Sequence, residues 1–158
     1  MSKPALAAAA GFALLLTPLL AFMAMGDPPP AREPSPAAVA DIPPELLAAY
    51  RSAAAACAVP WEVLAAVGKV ASDHGRSPTP GIPGGPAGPM GLLPAVWAAV
   101  GQGDVSQPPD AIRATAVFLC GQGATDPQRL PAALAALDPT ADVARILAIA
   151  ESYRTPPR

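Results

Sequence analysis

Three side chains that could take part in chemistry follow one another at the end of a predicted helix: Ser72, Asp73 and His74. His74 is the one histidine of the chain. A histidine acts as a general base only when a partner orients it, and the sequence supplies none. We therefore interpret His74 as a helix-end residue. Because no second histidine or free cysteine stands at ligand spacing, the sequence predicts neither a metal nor a cofactor.

The first 26 residues are typical of an export segment. Lys3 gives a short basic start, and residues 5–25 carry no charge. A signal peptide has an apolar core of about 7–15 residues, whereas a membrane-spanning helix needs roughly 20. Two interpretations stay open: a signal peptide cleaved near Gly26, or a retained anchor formed by residues 5–25. Both place the rest of the chain outside the cytoplasm, secreted or anchored at the cell envelope.

The two cysteines, Cys57 and Cys120, lie far apart in the exported part of the chain. In an oxidising compartment such a pair is typical of a disulfide rather than of redox chemistry. Closing a loop of that length contributes roughly 4 kcal/mol when it is treated as a loss of chain entropy in the unfolded state. We predict that the two residues are bonded to each other.

The rest of the chain predicts one domain between two short segments. Residues 27–41 are rich in proline and predict an extended spacer. Residues 42–154 suffice for one domain, which we expect to be monomeric, and residues 155–158 form a tail. The net charge of −2 and the absence of a basic stripe exclude nucleic acid as a partner.

Prolines mark the starts of helices in this domain. Pro44, Pro60, Pro109 and Pro139 each precede an apolar run of helical spacing. Asp138 is expected to cap the last helix. No strand pattern competes, so we predict an all-α domain. The predicted helices span about 44–57, 60–73, 93–100, 109–122, 127–137 and 139–153, with boundaries good to about 2–4 residues.

Three segments in a fixed order resemble the secreted soluble lytic transglycosylases, whose lysozyme-like domains cleave the glycan of bacterial peptidoglycan. They are IPPELLAAYRSAAAACAVPWEVLAAVGKVASDHGRS, GPMGLLPAVWAAVG and AIRATAVFLCGQGA. The resemblance runs from Ile42 to about Tyr153. It implies a small lysozyme-like, lytic transglycosylase-like helical fold with a substrate groove, in which Ser72, Met90 and Gly91 are the candidate groove residues.

The resemblance also implies that catalysis depends on one glutamate near the end of the helix that begins at Pro60-Trp61. Here that position is Ala71, so the resemblance implies no catalytic residue. Asp73 is about 200° further round the helix and should face away from the groove. Glu62 lies about 13 Å down the axis on the opposite face, where we interpret it as a first-turn carboxylate beside the helix dipole.

Other positions have also departed from the family pattern. Gly91 stands where the family commonly has glutamine. An Ala-Tyr-Asn-type motif and a later tyrosine fall here on Ala135, Ala136, Leu137 and Asp142. The groove has therefore lost hydrogen-bonding side chains.

Aromatic and sulfur side chains offer less specific signals. Trp61 and Trp97 could stack on sugars, but their places in apolar helix patterns favour core packing. Met90 belongs to the groove element by resemblance and could equally fill the core.

Three functions remain in view. The favoured one is a catalytically impaired domain that binds peptidoglycan glycan strands or a cell-wall enzyme. The alternatives are an active transglycosylase that cleaves the MurNAc-GlcNAc bond with another acid, and an interaction module whose groove is vestigial.

Overall fold

A computed structural model describes residues 32–77 and 83–154 of the chain. The predicted export segment and tail lie outside the described residues. Within the described ranges the chain is all-α, without strands, and none of its helices has the length and hydropathy needed to cross a membrane. The helices are α1 (Pro36–Asp41), α2 (Pro44–Ala55), α3 (Trp61–Ser72), α4 (Pro94–Val100), α5 (Pro108–Gly121), α6 (Leu130–Leu137) and α7 (Val143–Tyr153).

The six helices predicted from the sequence are all present, as α2 to α7. Pro44 is the first residue of α2, Pro60 is the N-cap of α3, and Pro109 lies in the first turn of α5. Proline fits these places because the backbone N–H it lacks would have no partner within the helix. The proline pattern therefore located three helix starts correctly.

The start of the last helix was predicted wrongly. The helix begins at Val143 rather than at Pro139, and its N-cap is Asp142 instead of Asp138. Asp142 accepts a hydrogen bond from the backbone N–H of Arg145 at 2.9 Å. Asp138 accepts hydrogen bonds from the backbone N–H and the hydroxyl of Thr140, at 2.8 and 2.7 Å. These local bonds stabilise a turn in place of a first helical turn.

The spacer prediction for residues 27–41 was wrong in its second half, because residues 36–41 form α1. Ser35 caps this helix at the backbone N–H of Ala38, and its hydroxyl donates to the carbonyl of Ser152 at 2.7 Å. The N–H of Ser35 bonds the carbonyl of Tyr153 at 3.1 Å. The chain before α2 is therefore part of the domain and packs on α7.

Helix α3 forms the centre of the domain. Every residue from Trp61 to Gly68 is buried, and the helix packs mainly against α7 and α2. A helix that is covered on all sides lies in the core. Each fully buried Val, Leu or Ile side chain contributes about 1.5–3 kcal/mol relative to an exposed one. The position of α3 is therefore fixed by packing along most of its length.

The predicted disulfide is confirmed. Cys57, just after α2, is bonded to Cys120 in the last turn of α5, with a Cα–Cα distance of 6.1 Å. The bond ties together two helices that already pack against each other.

Candidate binding cavity

The last turn of α3 ends in a sharp reversal of the chain. Asp73 and His74 both have left-handed backbone conformations, with φ of 51° and 57°, and Gly75 follows at 81°. The N–H groups of Asp73 and His74 close onto the carbonyls of Lys69 and Gly68. This is the hydrogen-bonding pattern of a helix C-terminus that ends in left-handed residues. Two different environments lie on either side of this helix end.

One side is a cavity of about 260 Å³ that Ala71 lines. Helix α3 contributes Val67 and Val70 beside Ala71, and the loop before α4 contributes Met90 and Gly91. The opposite wall comes from α6, the turn after it and α7. This wall combines aliphatic residues, namely Leu134, Leu137, Ala141 and Ile146, with the polar residues Asp138, Thr140 and Asp142.

Ala71 and Gly91 lie next to each other in the same wall of the cavity. A Cβ atom placed on Gly91 would lie 3.2 Å from the Cβ of Ala71. Gly91 also has a φ of 59°, in the left-handed region that side chains disfavour. A side chain at position 91 would therefore press against Ala71, so the absence of a Cβ at Gly91 keeps this part of the wall open.

The predicted groove residues separate into two groups. Met90 and Gly91 line the cavity. Met90 is also buried, so it fills the core and forms part of the cavity wall at the same time. Ser72 does not line the cavity. It is buried, and its hydroxyl donates to the carbonyl of Pro89 at 2.6 Å and accepts from the N–H of Gly75 at 2.8 Å. Ser72 therefore holds the loop against the helix end and is no ligand contact.

The four positions near α6 that the resemblance points to fall into two pairs. Leu137 and Asp142 line the cavity, whereas Ala135 and Ala136 are exposed on the far side of α6. Asp138 and Thr140 also line it, and sequence reasoning missed both as site residues. We call Asp138 and Asp142 the acidic rim. From the sequence, Asp138 was interpreted only as a helix cap, and Asp142 only as a position at which the resemblance expects a tyrosine.

The acidic rim is the charged part of the cavity. Each carboxylate accepts local hydrogen bonds through Oδ1, and neither forms an ion pair with a described residue. Asp138 is half-buried and Asp142 is exposed. No basic or aromatic residue of the described ranges lines the cavity. The site therefore favours neutral or cationic groups over anionic ones.

The two acids weighed as substitutes for the missing glutamate lie elsewhere, as predicted. Asp73 contacts Lys69 and Arg76 outside the cavity. Glu62 is buried at the start of α3, 3.3 Å from Arg154 and 3.7 Å from Arg32. Through these two contacts Glu62 links the first and the last described segments of the chain. It also lies in the first turn of α3, as predicted.

The other side of the α3 end is the polar cluster, which consists of hydrogen-bonding groups that are buried or half-buried, with Arg76 exposed at its edge. The hydroxyl of Tyr50 lies 3.1 Å from Nδ1 of His74, and Nε2 of His74 lies 3.2 Å from the hydroxyl of Tyr153. That hydroxyl donates to Oδ2 of Asp41 at 2.5 Å. The members of the polar cluster are Asp41, Tyr50, Lys69, Asp73, His74, Arg76 and Tyr153.

These bonds fix the direction of the protons in neutral His74. Because Tyr153 donates to Asp41, its oxygen accepts from Nε2–H of His74, and Nδ1 then accepts from the hydroxyl of Tyr50. Burial lowers the pKa of His74 to about 4, and the negative charge of Asp41 only partly opposes this shift. Burial also raises the pKa values of Tyr50 and Tyr153 well above their ordinary value. The polar cluster is therefore a satisfied hydrogen-bond chain with a neutral histidine.

His74 is a helix-end residue, as predicted, and it does not line the cavity. The two tryptophans also lie away from the cavity. Trp61 is buried, and its indole N–H donates to the carbonyl of Arg32 at 2.9 Å. Trp97 is half-buried and packs against the core. The core-packing interpretation of both residues is thus confirmed.

Three comparisons with known proteins return no match: no family model fits the chain, and neither a curated protein nor a solved structure resembles it. In the part of the chain that the structure describes, no group of three His, Cys, Asp or Glu residues is placed to hold a metal ion.

Proposed function

We propose that the chain is an extracytoplasmic protein of the cell envelope whose lysozyme-like, lytic transglycosylase-like domain binds peptidoglycan without cleaving it. One observation carries this proposal. Five of the eight positions picked out by the resemblance line the same cavity, namely Ala71, Met90, Gly91, Leu137 and Asp142. These positions come from three distant parts of the sequence, and their convergence is what a shared groove requires.

The absence of cleavage follows from the residue at position 71. A methyl group cannot deliver a proton to a glycosidic oxygen, and losing general acid help typically lowers a rate by about 10²–10⁴. The two rim carboxylates, Asp138 and Asp142, already accept hydrogen bonds from the turn and from the start of α7. Their role in this proposal is to hold the rim and bind ligand.

The disulfide supports an extracytoplasmic location. Cytoplasmic thiols are generally kept reduced, whereas exported small domains retain disulfides. Together with the charge-free run of residues 5–25, the bond between Cys57 and Cys120 favours export. Either the cleaved or the anchored form would face the cell wall.

Co-sedimentation with insoluble peptidoglycan tests the binding. The purified full-length chain is expected to pellet with the wall material. Ala71→Phe, which fills the cavity, is expected to stay in the supernatant. The matched control Ala135→Phe, on the exposed face of α6, is expected to pellet. Failure of the unmodified chain to pellet, or equal pelleting of both variants, would contradict the proposal.

A digestion assay tests the missing acid. The unmodified chain is expected to release no anhydro-muropeptides, and Ala71→Glu is expected to release them slowly. Release by the unmodified chain would instead establish the active-enzyme alternative.

The aliphatic lining favours a second candidate, an interaction module for another envelope protein. Aliphatic side chains with few polar partners suit a protein contact at least as well as a sugar. Co-purification of a protein partner, together with failure to bind peptidoglycan, would support this candidate over the first.

A further inference from the structure

The composition of the cavity limits what can occupy it. Its lining is mostly aliphatic, with Asp138, Thr140 and Asp142 as the polar side chains. Hydroxyls of a sugar ring that were buried against the aliphatic part would be left without hydrogen bonds. The aromatic platforms that could stack on a sugar ring, Trp61 and Trp97, lie elsewhere. The cavity therefore suits an aliphatic group better than a pyranose ring.

Size gives a second limit. The volume of about 260 Å³ is below the roughly 300–1,000 Å³ that is typical of pockets for drug-sized ligands. The cavity therefore accommodates one side chain of a larger ligand, with the remainder lying along the surface outside.

Charge gives a third limit. Asp138, which is half-buried, and Asp142, which is exposed, both line the cavity, and no basic residue of the described ranges lines it with them. Each carboxylate uses Oδ1 for a local hydrogen bond, which fixes its orientation. A cation beside these carboxylates would gain charge-assisted hydrogen bonds, whereas an anion would be repelled.

We propose that the cavity binds an aliphatic side chain that ends in a primary ammonium, supplied by the stem peptide of peptidoglycan. The methylene groups pack against Val67, Leu137 and Ile146, and the ammonium lies at the rim between Asp138 and Asp142. This inference rests on the proposed function, and it assigns the cavity to the peptide part of the wall polymer rather than to its glycan.

The test compares two forms of one polymer. Lysine-type peptidoglycan, whose stem peptide carries a side chain that ends in a primary ammonium, is used untreated and after N-acetylation, which removes the positive charge of its free amines. Co-sedimentation of the full-length chain is expected to weaken about tenfold on the acetylated form, because an oriented charge pair and part of the fit are lost. Equal binding to both forms would overturn the inference and leave the proposed function standing.

Asparagine variants test the rim. Asp138→Asn and Asp142→Asn keep an oxygen that can accept the local hydrogen bonds, since asparagine also caps helices. Each is expected to weaken binding to untreated peptidoglycan by about two- to fivefold, as for an exposed ion pair. Asp126→Asn, in an exposed turn away from the cavity, is the matched control and is expected to bind normally.

The outcomes separate the two proposals. Loss of binding on acetylation and in the rim variants, with normal binding by the control, supports the inference. Unchanged binding in both rim variants would overturn it. Absence of binding to either form of the polymer would overturn the proposed function and the inference together.

Discussion

The two sides of the α3 end differ in how their polar groups are used. In the polar cluster, Tyr50, His74 and Tyr153 are buried and bond one another and Asp41 in series. In the cavity around Ala71, the surface is aliphatic and the carboxylates of the acidic rim have no cationic partner among described residues.

This difference indicates which side of the α3 end is available to a ligand. A buried polar network whose members are all satisfied stabilises a unique fold, and disturbing it is costly. An open apolar cavity with unpaired charges at its rim still has interactions to make. His74, whose pKa is lowered by burial, therefore has a structural role in the polar cluster. Ala71 lines the side on which we propose that ligand binds.

The largest expected effect comes from Gly68→Ala, which breaks the polar cluster. A Cβ at this position would clash with the Tyr50 hydroxyl and approach Sδ of Met90 to 3.3 Å. Overpacking together with a lost buried hydrogen bond should lower the free energy of unfolding by about 3–5 kcal/mol. Urea denaturation measures this change.

Gly121→Ala is the matched control for that substitution. Nothing lies within 4 Å of a Cβ at this position at the end of α5. The control should be neutral or slightly stabilising, by up to about 1 kcal/mol, because alanine favours helix. Equal destabilisation by both variants would contradict the close packing described for the polar cluster.

A pH dependence of stability is expected from His74. In the unfolded chain its pKa returns to about 6.5, whereas in the folded domain it is about 4. Above pH 6.5 the His74 side chain is neutral in the folded domain and in the unfolded chain, so its full contribution to the free energy of unfolding is present. As the pH falls from 6.5 toward 4, the unfolded chain binds a proton that the folded domain does not, so roughly 3 kcal/mol of stability is lost.

His74→Asn separates this effect from the other titrating groups. Asparagine tolerates the left-handed backbone and does not titrate. Urea denaturation between pH 7 and pH 4 should show a falling stability in the unmodified chain and a much flatter profile in the variant. The further loss below pH 4 should remain in both, because Asp41 and Asp73 have pKa values below their ordinary range. Identical profiles down to pH 4 would count against a buried neutral His74.

The smallest effect is expected on the cavity side. The phenyl ring of Ala71→Phe enters open space, so the free energy of unfolding should change by less than about 1.5 kcal/mol. A ring added at position 71 should thus cost less than one methyl group at position 68. A loss as large as that of Gly68→Ala would show that the cavity does not accommodate the ring.

Much of the fold could be predicted from local sequence signals. Proline positions and apolar spacing located the helices, because both act within one element. The polar cluster could not be predicted, since residues as far apart as Asp41 and Tyr153 meet only after α1, α2 and α7 pack on α3. Helix α1 was not predicted because it lies in a proline-rich stretch and has only 6 residues, too few for a clear apolar pattern.

The cavity was predicted in part. Resemblance placed Ala71 and Gly91 together, although their contact depends on the fold of the loop between α3 and α4. The resemblance placed Ser72 in the groove, whereas its hydroxyl donates to a carbonyl of the loop before α4. From the sequence alone, a serine hydroxyl fits a ligand contact as well as it fits such a backbone contact. Asp138 was missed as a rim residue because an aspartate before an apolar run is typical of a helix cap.

The most direct test of the account is an NMR titration of the ¹⁵N-labelled chain with soluble muropeptides that carry a free stem-peptide amine. The account predicts that the amide signals of Ala71, Gly91 and Leu137 shift with added ligand, while those of Tyr50 and His74 stay in place. Shifts centred on Tyr50 and His74, or none at the cavity at saturating ligand, would contradict the claim that the cavity is the binding site.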